Sequence, residues 1–153
     1  MSDRGGVIRL LDRETGEELL RLEGHKRSVH TVLFSPDGSL LASAELLEKV
    51  RVWDLARGRE LFAFPAPQCY SEVYLCFSPD GKRLADGSWH DRTVRVWDME
   101  TGEEALSFEA SPSGFLGVRA LAFSPDRRRL ATACAQHWRG VKVWGDLPAP
   151  AGQ

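Results

Sequence analysis

Hydrophobic and polar positions alternate in short segments along most of the chain, and turn residues separate these segments. Such alternation predicts β-strands. The segments VLF, YLCF and ALAF each run into Ser-Pro-Asp, which is followed by Gly in two of the three copies. Pro at the second position and Gly at the fourth suit a type I turn. The pattern predicts a strand, a tight turn and a second strand, named a and b, and then strands c and d. Strand b is LLASA, RLADGS or RLATACA, and strand d is ELLRL, ELFAF or EALSF.

Two strings recur along the chain and define its repeats. FSPDG at 34–38 returns at 77–81 and, as FSPDR, at 123–127. VRVWD at 50–54 returns at 94–98 and, as VKVWG, at 141–145, with a weaker copy, IRLLD, at 8–12. The second string is strand c, in which Val50 and Val52 lie on one face and Arg51 and Trp53 on the other. Because both faces carry large apolar groups, each sheet must pack between two others.

Repeats of about 40–45 residues with four strands, a Gly-His pair and Trp-Asp endings resemble the WD40 β-propeller family. The matching residues are Gly24-His25, the two copies of VRVWD and the two FSPDG turns. The resemblance covers roughly residues 7–146 and implies an all-β fold class of four-stranded antiparallel propeller blades. It predicts an incomplete ring of about three blades per chain. Residues 1–146 are the predicted repeat region, and 147–153 are a predicted disordered C-terminal tail.

Strands c and d of one blade, two full blades, and strands a to c of another make up the predicted repeat region. Closed propellers have about 4–8 blades, so two arrangements are expected. In the first, the chain forms a head-to-tail homodimer with six blades, in which the ELLRL strand of a second copy completes the blade that ends at Trp144. In the second, the chain is a fragment of a longer WD40 protein.

The resemblance also implies structural roles for His25, Ser43, Trp53, Asp91, Trp97 and Trp144. In the family, a His, a strand b Ser or Thr, an Asp before strand c and the Trp often share a buried hydrogen-bond network. The first full repeat has Leu47 at the Asp position, the second lacks Gly-His, and the third has Trp138 at the Asp position. We therefore expect packing and the β-ladders, rather than this network, to hold the blades.

The loops between strands b and c, and between d and a, carry all the variation in length, and a meander places both on one edge. In the family this is the narrow top face. These loops contain aromatic, apolar and Arg side chains, which are typical of interface hot spots. The predicted partner-binding residues are Leu46, Leu47, Tyr70, Trp89, His90, Phe115, His137, Trp138 and Arg139.

Charge and composition argue against several classes of function for this chain. The 153 residues include 20 Lys and Arg against 22 Asp and Glu, a net charge of −2, which gives no electrostatic footprint for nucleic acid or an anionic membrane. No signal peptide or membrane span is evident, so a cytoplasmic location is expected. Cys69, Cys76 and Cys134 lack metal or CxxC spacing and fit reduced thiols.

Candidate catalytic groups fall inside the repeated turns, where Ser and Asp shape the turn. The chain has no nucleophile elbow, phosphate loop or zinc-protease motif. His90 with Asp91 and His137 form only a weak metal or acid–base signal, so no catalytic residue, metal or cofactor is predicted. The predicted function is a non-catalytic scaffold that binds a protein or peptide through its top face. The alternative is a purely structural, self-assembling half-propeller with no ligand of its own.

Overall fold

In the computed structural model of the chain, the described residues form thirteen β-strands in four antiparallel sheets. The structure describes residues 6–45, 48–65, 72–90, 92–110, 117–134, 141–145 and 147. These ranges contain no helix, and therefore no helix able to cross a membrane. Antiparallel four-stranded sheets in an all-β chain confirm the predicted fold class.

Each sheet is built from strands that follow one another in the chain, so spatial order equals sequence order. The first sheet contains β1 (Ile8–Leu11) and β2 (Glu18–Leu22). The second contains β3 (Val29–Phe34), β4 (Leu40–Glu45), β5 (Lys49–Asp54) and β6 (Arg59–Pro65). The third contains β7 (Val73–Phe77), β8 (Arg83–Ser88), β9 (Thr93–Asp98) and β10 (Glu104–Glu109). The fourth contains β11 (Val118–Phe123), β12 (Leu130–Cys134) and β13 (Val141–Trp144).

Serine and aspartate shape the turn between strands a and b of each sheet. Ser35 donates its hydroxyl hydrogen to Asp37 Oδ1 at 2.6 Å. The same contact joins Ser78 to Asp80 and Ser124 to Asp126 in the next two sheets. Hydrogen bonds from Ser35 and Ser39 lower the pKa of Asp37 to about 2. These side chains are occupied in fixing the turn, as their repetition in the sequence predicts.

Neighbouring sheets meet through a contact between strand d of one sheet and strand c of the next. Phe64 on β6 stacks on Trp97 of β9, with ring centroids 4.3 Å apart and an interplanar angle of 14°. The corresponding pairs are Phe108 with Trp144 and Leu22 with Trp53. Trp97 also donates its indole N–H to Asp86 of its own sheet. Each strand c tryptophan therefore joins two sheets, by ring packing on one side and a hydrogen bond on the other.

The core between the second and third sheets shows why strand c is apolar on both faces. Val50 and Val52 of β5 are fully buried and belong to the same cluster as Val73 and Phe77 of β7 and Leu84 of β8. Trp53 lies on the opposite face of β5, in the cluster that faces the first sheet. The two faces of one strand thus serve two different sheet interfaces.

We expect Trp97→Ala to lower the free energy of unfolding by about 3–5 kcal/mol, since it removes a buried ring and the indole hydrogen bond. Trp89→Ala is the matched control: this tryptophan is half-buried at the end of the same sheet, and its loss should cost less than about 1 kcal/mol. Urea unfolding measures both. Equal losses in the two variants would contradict the assigned role of Trp97.

Candidate functional site: the loop edge

The ends of the described strands that lead into the b–c and d–a loops lie at one edge of the sheets, because the strands follow a simple meander. We call this the loop edge, and the opposite side, with the a–b and c–d turns, the turn edge. Of the predicted binding residues, Trp89 and His90 are described, and both follow β8 directly. The others lie outside the described residues: Leu46, Leu47, Tyr70, Phe115, His137, Trp138 and Arg139.

Trp89 is half-buried because the next sheet covers part of its ring. The guanidinium carbon of Arg119, near the start of β11, lies 3.5 Å from the centre of the Trp89 ring. The carbonyl oxygen of Trp89 accepts a hydrogen bond from the N–H of Gly117 at 2.5 Å. Trp89 therefore joins the third sheet to the fourth at the loop edge, while His90 beside it is exposed.

Arg119 carries the positive charge of this cluster and is exposed to solvent. In the part of the chain that the structure describes, the ion pairs do not include Arg119. Tyr74 of β7 donates its hydroxyl to Glu72 at 3.0 Å. Burial and this hydrogen bond raise the pKa of Tyr74, and the charge of Arg119 opposes them. The cluster thus combines two aromatic rings, a carboxylate and a stacked guanidinium.

Arg119 and Tyr74 were missed by the sequence analysis, which considered only loop residues. Both lie in the first strand of their sheets, where alternation predicts only that a side chain lies on one face or the other. β11 packs beside β7 and β8, which brings its first residues next to Trp89. No local signal in the sequence reports this approach between sheets.

The weak metal or acid–base signal at His90 lies only partly within the described residues. Among the described residues, no group of three or more His, Cys, Asp or Glu side chains is placed to hold a metal ion. His90 is described, whereas Asp91 and His137, with which it was considered, lie outside the described ranges. Cys76 and Cys134 are free thiols, and burial raises the pKa of both.

The family model for the WD domain, G-beta repeat, matches the chain three times, at residues 16–54, 60–98 and 102–145. These matches cover most of the sequence. The chain belongs to the WD40 repeat family. WD40 proteins are in general non-catalytic scaffolds for protein interactions. The coarse functional prediction agrees with this family, whereas the family alone does not name a partner.

Three curated WD40 relatives illustrate the similarity. The chain is 38% identical over 85 residues to DNA damage-binding protein 2 of Mus musculus, covering 54% of this chain and 19% of that protein. It is 32% identical over 136 residues to the U3 small nucleolar RNA-associated protein 15 homolog of Xenopus laevis, covering 89% and 25%. It is 42% identical over 69 residues to small ribosomal subunit protein RACK1z of Arabidopsis thaliana, covering 45% and 20%. The chain thus spans a quarter or less of each relative.

A buried polar network lies beneath the loop edge of the second sheet. Trp53 donates its indole N–H to Ser43 Oγ at 2.8 Å, and Ser43 Oγ lies 2.7 Å from His25 Nε2. His25 Nδ1 lies 3.1 Å from Glu45 Oε1, and both of these side chains are completely buried. With the proton on Nδ1, the neutral imidazole accepts from Ser43 and points its N–H at Glu45. The contacts therefore run from Trp53 through Ser43 and His25 to the carboxylate, although the last one, from Nδ1 to Oε1, is close in distance without having hydrogen-bond geometry.

Glu45 supplies the acid of this network, whereas the sequence interpretation kept His25, Ser43 and Trp53 and placed the acidic position of this WD40 repeat at Leu47. Glu45 is the last residue of β4, and its Oε2 also accepts the backbone N–H groups of Lys26 and Arg27, each at 2.8 Å. The carboxylate thus ties the d–a loop to strand b. In this sheet a polar network thus exists beside the packing and the β-ladders that we expect to hold the blades.

The other two WD40 blades keep a shorter version of the network. Trp97 donates to Asp86, which is fully buried and lies 3.5 Å from the guanidinium of Arg95. Trp144 donates to Thr132 Oγ1 at 3.1 Å. The strand b acceptors Ser43, Asp86 and Thr132 lie at equivalent positions, so each Trp finds a partner in its own sheet. The predicted structural residue Asp91 lies outside the described residues.

Burial disfavours the imidazolium and lowers the pKa of His25 below its ordinary 6.5, although the nearby Glu45 carboxylate acts in the opposite direction. Burial also opposes ionisation of Glu45. Contact with His25 and the N–H groups of Arg27 and Lys26 outweigh that effect and hold its pKa below 4.5. The folded protein therefore favours a neutral imidazole beside an ionised carboxylate.

These shifts predict a loss of stability in mild acid. Because the unfolded chain protonates His25 at its ordinary pKa and the folded chain only at a lower pH, stability should fall as the pH drops from about 7 to 5. His25→Gln should cost about 1–3 kcal/mol at neutral pH, because it disrupts buried partners, and should flatten the slope over this range. Urea unfolding at several pH values measures both quantities.

The control for this prediction is His30→Gln, which changes an exposed histidine on β3. This variant should keep the wild-type slope. If His25→Gln retains the full pH dependence, the buried imidazole is not its source.

Proposed function

We propose that this WD40 protein binds a protein or peptide partner through its loop edge, the top face of the blades, and performs no chemistry of its own. The observation that carries the proposal is the pairing of Trp89 with Arg119 across two sheets. Trp and Arg are the side chains most enriched among interface hot spots. Here they lie together, partly ordered before any partner binds, which reduces the entropy cost of association.

The geometry also supports a proposal for the chemical group that the partner presents to Arg119. A guanidinium that stacks on an aromatic ring keeps its N–H groups at the rim of the plane, where a carboxylate can accept two of them. Since the ion pairs of the described residues do not include Arg119, we propose that the partner offers an Asp, a Glu or a C-terminal carboxylate there. The adjoining Trp89 ring and exposed His90 suit an apolar or aromatic neighbour in the same segment.

A protein rather than a nucleic acid is the proposed partner, although two of the relatives are named for DNA damage binding and a small nucleolar RNA. The net charge of −2 gives the chain no excess of cations to neutralise phosphates. The strand ends at this edge also carry carboxylates: Glu72 accepts a hydrogen bond from Tyr74, and Glu109 pairs with Arg92 at 3.1 Å. Such a mixed surface favours a protein segment.

The double variant Trp89→Ala with Arg119→Ala should weaken partner binding at least about 30-fold, or roughly 2 kcal/mol, because it removes both hot-spot side chains. The partner is first captured by the wild-type chain and identified by mass spectrometry, and the affinity of the purified pair is then measured by calorimetry. A thermal melt of the variant should remain close to wild type.

The control carries Lys82→Glu and Arg128→Glu, two exposed changes at the turn edge. It reverses two charges but should bind the same partner normally. If this control loses binding while the Trp89 and Arg119 variant keeps it, the turn edge is the binding face and our assignment is incorrect.

A second candidate role is self-assembly, and we propose that the chain pairs head to tail with a second copy. The motivating observation is that the large apolar side chains that are exposed among the described residues all lie on the first two and the last sheets. They are Leu11, Leu19, Val32, Phe34, Val141 and Val143. Apolar surface concentrated at two opposite ends favours association of those ends.

Multi-angle light scattering at micromolar concentration should give twice the mass of a single chain. Burial of the exposed side chains of Val32, Phe34, Val141 and Val143 on dimer formation drives the association. The turn-edge variant with Lys82→Glu and Arg128→Glu is again the control and should have the same mass. A folded monomer over this concentration range would refute pairing and leave the loop-edge proposal unaffected.

A further inference from the structure

A groove of about 420 Å³ lies between the first sheet and the inner strand of the second. Its lining includes Leu10, Leu11 and Leu19 of the first sheet and Val29, Val32 and Phe34 of β3. Val32 and Phe34 are each 54% exposed. In the third sheet, the corresponding residues Leu75 and Phe77 of β7 pack against the sheet before them. The groove is thus the place where strands a and b of a neighbouring blade would pack.

The last sheet presents the matching surface. Val141 and Val143 of β13 are 66% and 60% exposed, whereas Val50 and Val52, which hold the same places in β5, are fully buried. In the interior of the molecule those two valines pack in one cluster with Phe77 of the following sheet. Among the described residues, no strand like β7 covers the exposed face of β13, and the exposed face of β3 belongs to such a strand.

Strand β1 already occupies the strand c place against the second sheet. Ile8 pairs with Leu22 and Leu10 with Leu20, as Val50 pairs with Phe64 and Val52 with Phe62 in the next sheet. Strand β13 of a second copy can therefore pair with β2 only if β1 first dissociates from β2. The register allows this exchange, because Val141 and Val143 have the same spacing as Ile8 and Leu10.

Strand β1 is less well suited than β13 to the strand c position beside β2. It carries Leu11, 49% exposed, where the other three c strands carry a Trp that donates to strand b. In the described part of the first sheet β1 pairs with β2 alone. By contrast, Trp144 of β13 already donates a hydrogen bond to Thr132, and β13 belongs to one sheet with β11 and β12. When β13 pairs with β2 of another copy, that sheet would cover Val32 and Phe34.

We propose that β1 pairs with β2 only in the single chain. In the head-to-tail dimer, β13 of a second copy displaces β1 and pairs with β2. This inference rests on the proposed self-association and specifies its junction. Each junction blade contains β11, β12 and β13 of one copy with β2 of the other. Two reciprocal exchanges give six four-stranded blades, within the range of closed propellers, about 4–8. Lys142 then takes the place of Arg9 and can remake its ion pair with Glu18.

The first test uses a variant in which the pairing of β1 with β2 is destabilised. Ile8→Asp with Leu10→Asp should tighten dimerisation about tenfold, because it destabilises the state in which β1 competes with β13. Val141→Asp with Val143→Asp should instead give a monomer. Analytical ultracentrifugation measures the dissociation constants. A wild-type monomer refutes self-association, whereas a dimer that is weakened by the Ile8 and Leu10 changes refutes only the exchange.

Cysteine cross-linking gives an independent readout that does not depend on the stability of β1. In the exchanged dimer, residue 143 of one copy faces residue 20 of the other, as Leu10 faces Leu20 in the single chain. The variant with Leu20→Cys and Val143→Cys should form an intermolecular disulfide under mild oxidation. Each single variant, with the native thiols present, is the control. A dimer that cross-links no more than the controls contradicts the exchange.

Discussion

The tryptophan of strand c is the residue on which the arrangement of the sheets depends. Its ring packs against strand d of the preceding sheet, as Phe64 does on Trp97, and its N–H bonds to strand b of its own sheet. A buried indole gains packing energy from the first contact and avoids the cost of an unpaired donor through the second. Because one side chain meets both demands, the orientation of each sheet relative to the last is fixed at every repeat.

This arrangement separates a constant edge from a variable one. At the turn edge, Ser35 with Asp37 and their equivalents satisfy the polar groups of each turn locally. At the loop edge the bonds reach further: Glu45 holds the backbone of Lys26 and Arg27, and Trp89 reaches the next sheet. Contacts between sheets place side chains from different repeats together, and this is why we propose the loop edge for partner binding.

The two ends of the described array differ from its interior in how far their apolar side chains are buried. Val50 and Val52 are fully buried between sheets, whereas their equivalents Val141 and Val143 are largely exposed. In a repeat fold each unit buries its apolar face on a neighbour, so an end unit keeps that face uncovered until another unit supplies the contact. Binding at the loop edge and association through the ends therefore use different surfaces and can coexist.

The sequence by itself determined the all-β class, the four-strand repeat and the WD40 family, because alternation, turn chemistry and the Trp spacing are local signals. It named His25, Ser43 and Trp53 of the polar network but not the acid, and it did not determine the loop-edge cluster. Glu45 replaces the expected acid from a position two residues before Leu47, and Arg119 meets Trp89 only because β11 packs beside β8. Such contacts depend on the distance and angle between neighbouring sheets, which the tertiary packing of Trp, Phe and Val side chains sets and no local pattern records.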